Sequence, residues 1–162
     1  MINLVHVALI VFTLIGCTST QSRSMPYEAW RLGFSAPVHM EVWIESADVI
    51  DIQGQVYKHA MSGNAAIIAP STKHGDPRGW PKKVGWGKGK YVRGADLPQK
   101  IYVRWQSLAE PRTYRMVINI PESTRRLMRK GEKAFCTADG KWIIGYHKSV
   151  AITLVPGGIA KV

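Results

Sequence analysis

The residues best suited to chemistry lie in one tract. Lys73 to Gly94, KHGDPRGWPKKVGWGKGKYVRG, sets Lys73, Arg78, Lys82, Lys83, Lys88, Lys90 and Arg93 against the lone acid Asp76, with Trp80, Trp86 and Tyr91 between the cations. Tyr, Trp and Arg are the side chains that most often carry binding energy at interfaces, and a cationic surface favours anionic partners. Gly75, Gly79, Gly85, Gly87, Gly89 and Gly94 punctuate the tract, which argues for a long loop rather than a helix or an uninterrupted strand. Loops of that length inside a compact domain are uncommon and often functional. Three readings compete. The tract is an interface for an acidic protein or for phosphate-rich headgroups, or a structural loop whose tryptophans pack on a sheet while its lysines stay wet, or a single-stranded nucleic-acid platform. A phosphate-cradling loop fits poorly, because GWGKG lacks the Walker spacing and the Ser or Thr that should follow.

A second constellation is His39 and Glu41. Val38 to Glu45 (VHMEVWIE) alternates, with Val38, Met40, Val42 and Ile44 opposite His39, Glu41, Trp43 and Glu45. A His and a Glu side by side on the outer face of such a strand could bind metal or exchange a proton. No third ligand accompanies them, so the expectation is a solvated polar face. The chain has no GxSxG elbow, HExxH or CxxC, and His59, His74 and His147 have no carboxylate arrangement beside them in sequence. Catalytic residues, metal ligands and cofactors are therefore not expected, although triads do assemble from distant positions.

The N-terminus carries an address. Leu4 to Ile15 (LVHVALIVFTLI) has the length of a secretory signal core and falls short of the ~20 apolar residues that span a bilayer. Leu14-Ile15-Gly16-Cys17 follows directly and resembles the lipobox of bacterial lipoproteins. In these the peptide before the cysteine is cut, the thiol is diacylated and the new amine is acylated. The residues suit that chemistry, a small Gly16 for peptidase approach and a nucleophilic thiol at Cys17. Against it, MINLVH holds no Lys or Arg, so an uncleaved anchor or a buried terminal strand stays open. Each buried CH₂ of an acyl chain contributes roughly 0.8 kcal/mol, so several chains anchor effectively permanently. By the same resemblance Thr18, rather than an aspartate, implies the inner leaflet of a Gram-negative outer membrane, with the domain facing the periplasm. The organisation expected is a lipoprotein signal at 1–16, the lipidated cysteine and a polar tether at 17–24, and one β-rich domain at 25–162.

These features need a scaffold, and the sequence states it most plainly between Tyr91 and Ile120. Ile101, Val103 and Trp105 alternate with Tyr102, Arg104 and Gln106, and Tyr114, Met116, Ile118 and Ile120 alternate with Thr113, Arg115, Val117 and Asn119. Ser107 to Pro111 joins the two runs, which predicts a β-hairpin with one apolar face. Ala29 to Ser35 reads as an earlier strand with Trp30, Leu32 and Phe34 on one face. Asp48 to His59 alternates around a turn or bulge at Gly54, and Ala65 to Ala69 is a short apolar run. Pro121 to Lys130 reads as a helix with Glu122 at its positive end, Arg129 and Lys130 at its negative end and Gly131 as a left-handed stop. Its thin apolar face, Leu127 and Met128, places it on the sheet's edge. Asp139-Gly140 predicts a tight turn between Glu132–Thr137 and Lys141–His147. Ser149 to Val155 is a further strand, turned by Pro156-Gly157-Gly158 toward Ile159–Val162. The fold class expected is mainly β, with antiparallel sheets in a sandwich-like pair and one short helix near 121–130.

At 162 residues the chain has the size of one domain, and about 146 residues remain without the leader, enough to bury roughly two thirds of the unfolded surface. The net charge of +11 lies wholly beyond Cys17. Cys136 is the only other cysteine; it reads as a small buried hydrophobe, and an odd cysteine in an exported chain is worth marking.

The segments MEVWIESADVIDIQG, GDPRGWPKKVG, YVRGADLPQKIYVRWQSLAEPRTYR, AFCTADGKWI and LVPGGIAKV together resemble a family of small Gram-negative lipoproteins known only as a domain of unknown function. The resemblance covers most of the mature chain, and it carries no catalytic residues. It implies a further cysteine-containing segment beyond the last strand, which would leave Cys136 short of its partner and the domain truncated at Val162. Small periplasmic lipoproteins of this kind often act as immunity proteins against envelope-attacking toxins. The function expected is thus a non-catalytic, membrane-anchored binding module. It would meet an acidic protein partner, not nucleic acid, through Arg78, Trp80, Lys82, Lys83, Trp86, Lys88, Lys90, Tyr91 and Arg93. A structural envelope lipoprotein touching anionic lipid through the same loop is the alternative.

Overall fold

The computed structural model describes residues 25–68 and 86–162. In chain order the strands are β1 (Ala29–Pro37), β2 (Val42–Asp51), β3 (Val56–Asn64), β4 (Ala66–Ile68), β5 (Lys88–Arg93), β6 (Pro98–Ser107) and β7 (Arg112–Asn119). Helix α1 (Glu122–Arg129) separates these from β8 (Gly131–Cys136), β9 (Lys141–Tyr146), β10 (Ser149–Val155) and β11 (Ile159–Lys161). The fold is mainly β, as the alternation predicts.

Two sheets face one core. The first runs β11-β10-β1-β4, and β5 shares with β4 the same edge of β1. The second runs β3-β2-β6-β7 and is antiparallel throughout. Trp30, Leu32, Phe34, Ile152 and Leu154 from the first sheet meet Ile44, Val49, Ile101, Val103 and Trp105 from the second, all fully buried. In β1, β6 and β10 these occupy alternate positions, so the period-two pattern becomes the sandwich interior, and in β2 register shifts between Ile44 and Val49 bring both to the same face. The hairpin of β6 and β7 forms as read, with Ser107 opposite Arg112 and Trp105 stacked on Tyr114 at 5.6 Å.

The first sheet departs from the antiparallel expectation. β1 pairs in parallel with both β10 and β4. Parallel neighbours need a long crossover, so no local turn announces them. β1 thus has strands on both edges, and at its far end even Ser35, on the side away from the core, is buried, its hydroxyl 2.9 Å from that of Thr153 on β10.

Four further expectations change. Residues 38–41 form a turn, Met40 donating to the Pro37 carbonyl at 3.1 Å, so β2 starts only at Val42. His39 is exposed in the left-handed region and Glu41 is half-buried, and the two do not share a strand face. The helix ends on an extended Lys130 rather than a left-handed Gly131. Gly131 instead opens β8, where a Cβ would press on Ile144 and the Tyr146 ring. On the helix Leu127 is exposed and only Met128 is buried, so a single apolar side chain seats it, beside Arg125, whose Nη1 donates to the Ile120 carbonyl. Cys136 is free and half-buried on the β8–β9 hairpin rather than inside the core.

Two buried carboxylates, Asp51 and Asp96, knit the loops at one end of the sandwich. Asp51 accepts from the backbone N–H groups of Gln53, Gln55 and Asp96, and Asp96 accepts from Leu97 N–H and Gln53 Nε2. Buried carboxylates otherwise cost several kcal/mol, and here backbone donors offset that cost.

Candidate functional site

β5 is the described end of the cationic tract, and it corrects the reading of that tract as all loop. Its residues pair antiparallel with β1 from Ala29↔Arg93 to Phe34↔Lys88. The strand forms despite its glycines because β1 offers a free row of backbone groups along that edge, and unpaired buried groups are costly. At the entry to β5 the Trp86 carbonyl lies over Gly33, where a Cβ would collide with it.

Arg31 fastens that entry. Its guanidinium donates from Nη1 to the Trp86 carbonyl and from Nη2 to the Gly87 carbonyl, each at 2.7 Å. Across the sheet, Tyr91, Arg31 and Ser149 are register partners on three neighbouring strands. That row lies on the face away from the core and floors a cavity of about 420 Å³, closed by Trp86, Tyr146 and Lys148. Trp86 and Tyr91 keep 68% and 62% of their surface in solvent, so both rings are presented rather than packed.

Tyr27 supports the cavity from behind. Its ring lies 5.6 Å from that of Tyr146, its hydroxyl donates to the Met128 carbonyl at 3.0 Å, and Lys148 Nζ stands 5.3 Å over its face. Burial pushes the Tyr27 hydroxyl up to about 12, with Arg129 opposing and Asp96 reinforcing the rise. The phenol therefore stays neutral and acts as a donor. Lys148 is positioned by this cation–π contact at the mouth of the cavity.

Among the described residues the lining contains two cations, three aromatic side chains and the hydroxyls of Ser149, Tyr91 and Tyr146, and no carboxylate, imidazole or thiol. Such a site attracts an anionic group and gives it flat apolar walls. Among the described residues no group of three or more His, Cys, Asp or Glu could hold a metal ion.

Of the residues singled out from the sequence, Trp86 and Tyr91 meet at the cavity, and Arg93 follows on the Tyr91 side of β5 by strand alternation. Lys88 and Lys90 alternate to the other side, with Val92, and are exposed. Arg78, Trp80, Lys82 and Lys83, and also Cys17, lie outside the described residues. Arg31, Tyr146 and Lys148 were not singled out, because the pairings of β1 with β10 and β5 that bring them together join segments distant in sequence. A second surface also went unread. Among the described residues β8 and β9 pair only with each other, and Phe135, Trp142 and Ile144 are 52%, 69% and 55% exposed. The run Trp142-Ile143-Ile144 was the available signal. Three consecutive apolar residues in a strand put apolar groups on both faces, and among the described residues neither sheet covers the hairpin beyond its base.

A family model described as a protein of unknown function, DUF2931, matches residues 17–162. The chain belongs to this family. The match starts at Cys17 and runs through every described strand. No curated protein and no solved structure matches the chain.

Proposed function

We propose that this DUF2931 domain is a non-catalytic binding module that receives an acidic protein partner on the outer face of its first sheet. The observation that carries the reading is the cavity itself, where Arg31 and Lys148 stand among Trp86, Tyr91 and Tyr146 with no acid among the described lining residues. An acidic side chain entering it gains two cations, and its flanking residues gain exposed aromatic walls of the kind that concentrate binding energy. The reading includes the address: Cys17 is acylated, and the domain is held at the periplasmic face of the outer membrane. The partner class that fits such a lipoprotein is an envelope-targeting toxin, which makes the domain an immunity protein.

Charge reversal tests the face. Lys148→Glu with Arg93→Glu alters the cavity side of the sheet, while Lys88→Glu with Lys90→Glu alters the opposite side of β5. The first pair abolishes capture of the protein that the wild-type domain recovers from envelope extract, and the second weakens it by long-range charge only, an effect that fades in salt. Equal, salt-sensitive losses from both pairs refute a docking site at the cavity.

A further inference from the structure

The β8–β9 hairpin stands apart from both sheets, and its surface is unlike that of a solvated hairpin. Phe135 and Trp142 are register partners whose rings meet edge-on at 5.5 Å, and Ile144 precedes Tyr146 on the same strand face. Ala134 and Ile143, partners on the opposite face, are exposed as well. Four lysines and two carboxylates lie between residues 130 and 148, and both carboxylates are already paired, Glu132 with Lys130 and His147, Asp139 with Lys141. Lys133 and Lys148 remain outside those pairs, so the net field around the apolar strip is positive.

The start of the described chain lies at the base of this hairpin. Tyr27 packs on Tyr146 and sits under Lys148. Ten residues separate Tyr27 from Cys17, a reach of at most ~35 Å. Six residues per strand carry the hairpin roughly 20 Å from its base, so with Cys17 in the bilayer its tip lies within range of the same leaflet. A protein groove would cover one face of the hairpin, whereas a lipid interface surrounds both. The unpaired outer edges of β8 and β9 forbid the hydrocarbon centre, where backbone groups find no partner. They are satisfied in the wet headgroup layer, which is also where Trp residues concentrate and Lys ammonium groups reach outward.

We propose that the β8–β9 hairpin is an interfacial membrane contact, with Phe135, Trp142 and Ile144 seated among the headgroups of an anionic phospholipid bilayer. The proposal rests on the anchoring of Cys17 and goes beyond it: the hairpin becomes a second foot that fixes the domain's orientation and turns the Arg31–Lys148 cavity to a set side. The test reconstitutes the full chain into vesicles of phosphatidylethanolamine and phosphatidylglycerol and reads tryptophan quenching by lipids brominated just below the headgroup. Subtracting Trp142→Phe from the wild type isolates the Trp142 signal, and as an exposed side chain it can be replaced without touching the core. The expected result is loss of most Trp142 emission to brominated lipid, and recovery of that emission in Lys133→Glu with Lys141→Glu. Equal quenching of wild type and Trp142→Phe overturns the proposal, as does a blue-shifted Trp142 that brominated lipid leaves untouched, the sign of a second copy or a protein in its place. Flotation and intact mass on the same samples separate the two ideas. A floating chain with an unquenched Trp142 rejects the foot and keeps the anchor; a quenched Trp142 with a bare Cys17 thiol does the reverse.

Discussion

Arg31→Met is the sharpest perturbation of the site. Methionine keeps most of the apolar stem and removes both hydrogen bonds to the Trp86 and Gly87 carbonyls. Hydrogen bonds from a charged donor contribute about 1.5–3 kcal/mol when shielded and less in water. The Trp86 bond is exposed and the Gly87 bond half-buried, so the pair is worth about 2–3 kcal/mol, which lowers Tm by about 5–10 °C in a chain of this size. The loss is local first. Amides of Lys88 to Arg93 exchange faster before the core does, because β5 is an edge strand held at its entry by this clamp. Gly33→Ala acts on the same segment beside Arg31, forcing a methyl into the Trp86 carbonyl. The two changes together cost less than the sum of each alone. Thermal unfolding with hydrogen exchange read by mass spectrometry decides it. A Tm within about 1 °C of wild type, with β5 protection unchanged, refutes the clamp.

Other outcomes follow from single contacts. Trp30 and Trp105 are both fully buried, but only Trp30 has a partner for its indole N–H, the Asp96 carbonyl at 3.1 Å. Trp30→Phe therefore costs about 1–2 kcal/mol more than Trp105→Phe in urea unfolding. Equal costs refute a stabilising role for that bond. The Gly157 N–H first, opposed by burial and helped by the Tyr114 hydroxyl, holds the Glu110 carboxyl below the usual carboxylate range. Its contribution is present above the ordinary carboxylate pKa and is lost as pH falls through the lowered one, so Glu110→Gln flattens the acid limb of Tm against pH. Tyr27 behaves oppositely. Raised to about 12 from 10, it leaves stability intact below pH 10 and drains it as pH climbs toward 12. Tyr27→Phe makes that alkaline decline shallower, and an unchanged slope contradicts the burial assigned to the phenol.

The strands were legible where pattern and partner are both local. Ile101, Val103 and Trp105 with Tyr114, Met116 and Ile118 give the β6–β7 hairpin outright, since alternation fixes the buried face and a short connection fixes the neighbour. The Asp139-Gly140 turn between β8 and β9 is read for the same reason. What pairs at a distance was not legible. Nothing around Arg31 announces that Ser149 and Tyr91 flank it, because parallel pairing with β10 and antiparallel pairing with β5 span most of the chain. The cavity is built from those two pairings, so its aromatic walls were foreseen through Trp86 and Tyr91 while its cations, Arg31 and Lys148, were not. The glycines of the cationic tract misled in the same way, signalling loop where an edge of β1 supplied a partner. The exposed surface of Phe135 and Trp142 went unread because apolarity reports a need for cover, not its source.

The central claim is that a partner docks on the cavity face, and a photo-reactive amino acid placed at Tyr91 in living cells tests it most directly. The account predicts one protein adduct from position 91, lost in Lys148→Glu with Arg93→Glu and never formed from the exposed Val117 of the second sheet. An adduct that forms equally from position 117, or none from position 91 while the partner is present, contradicts it.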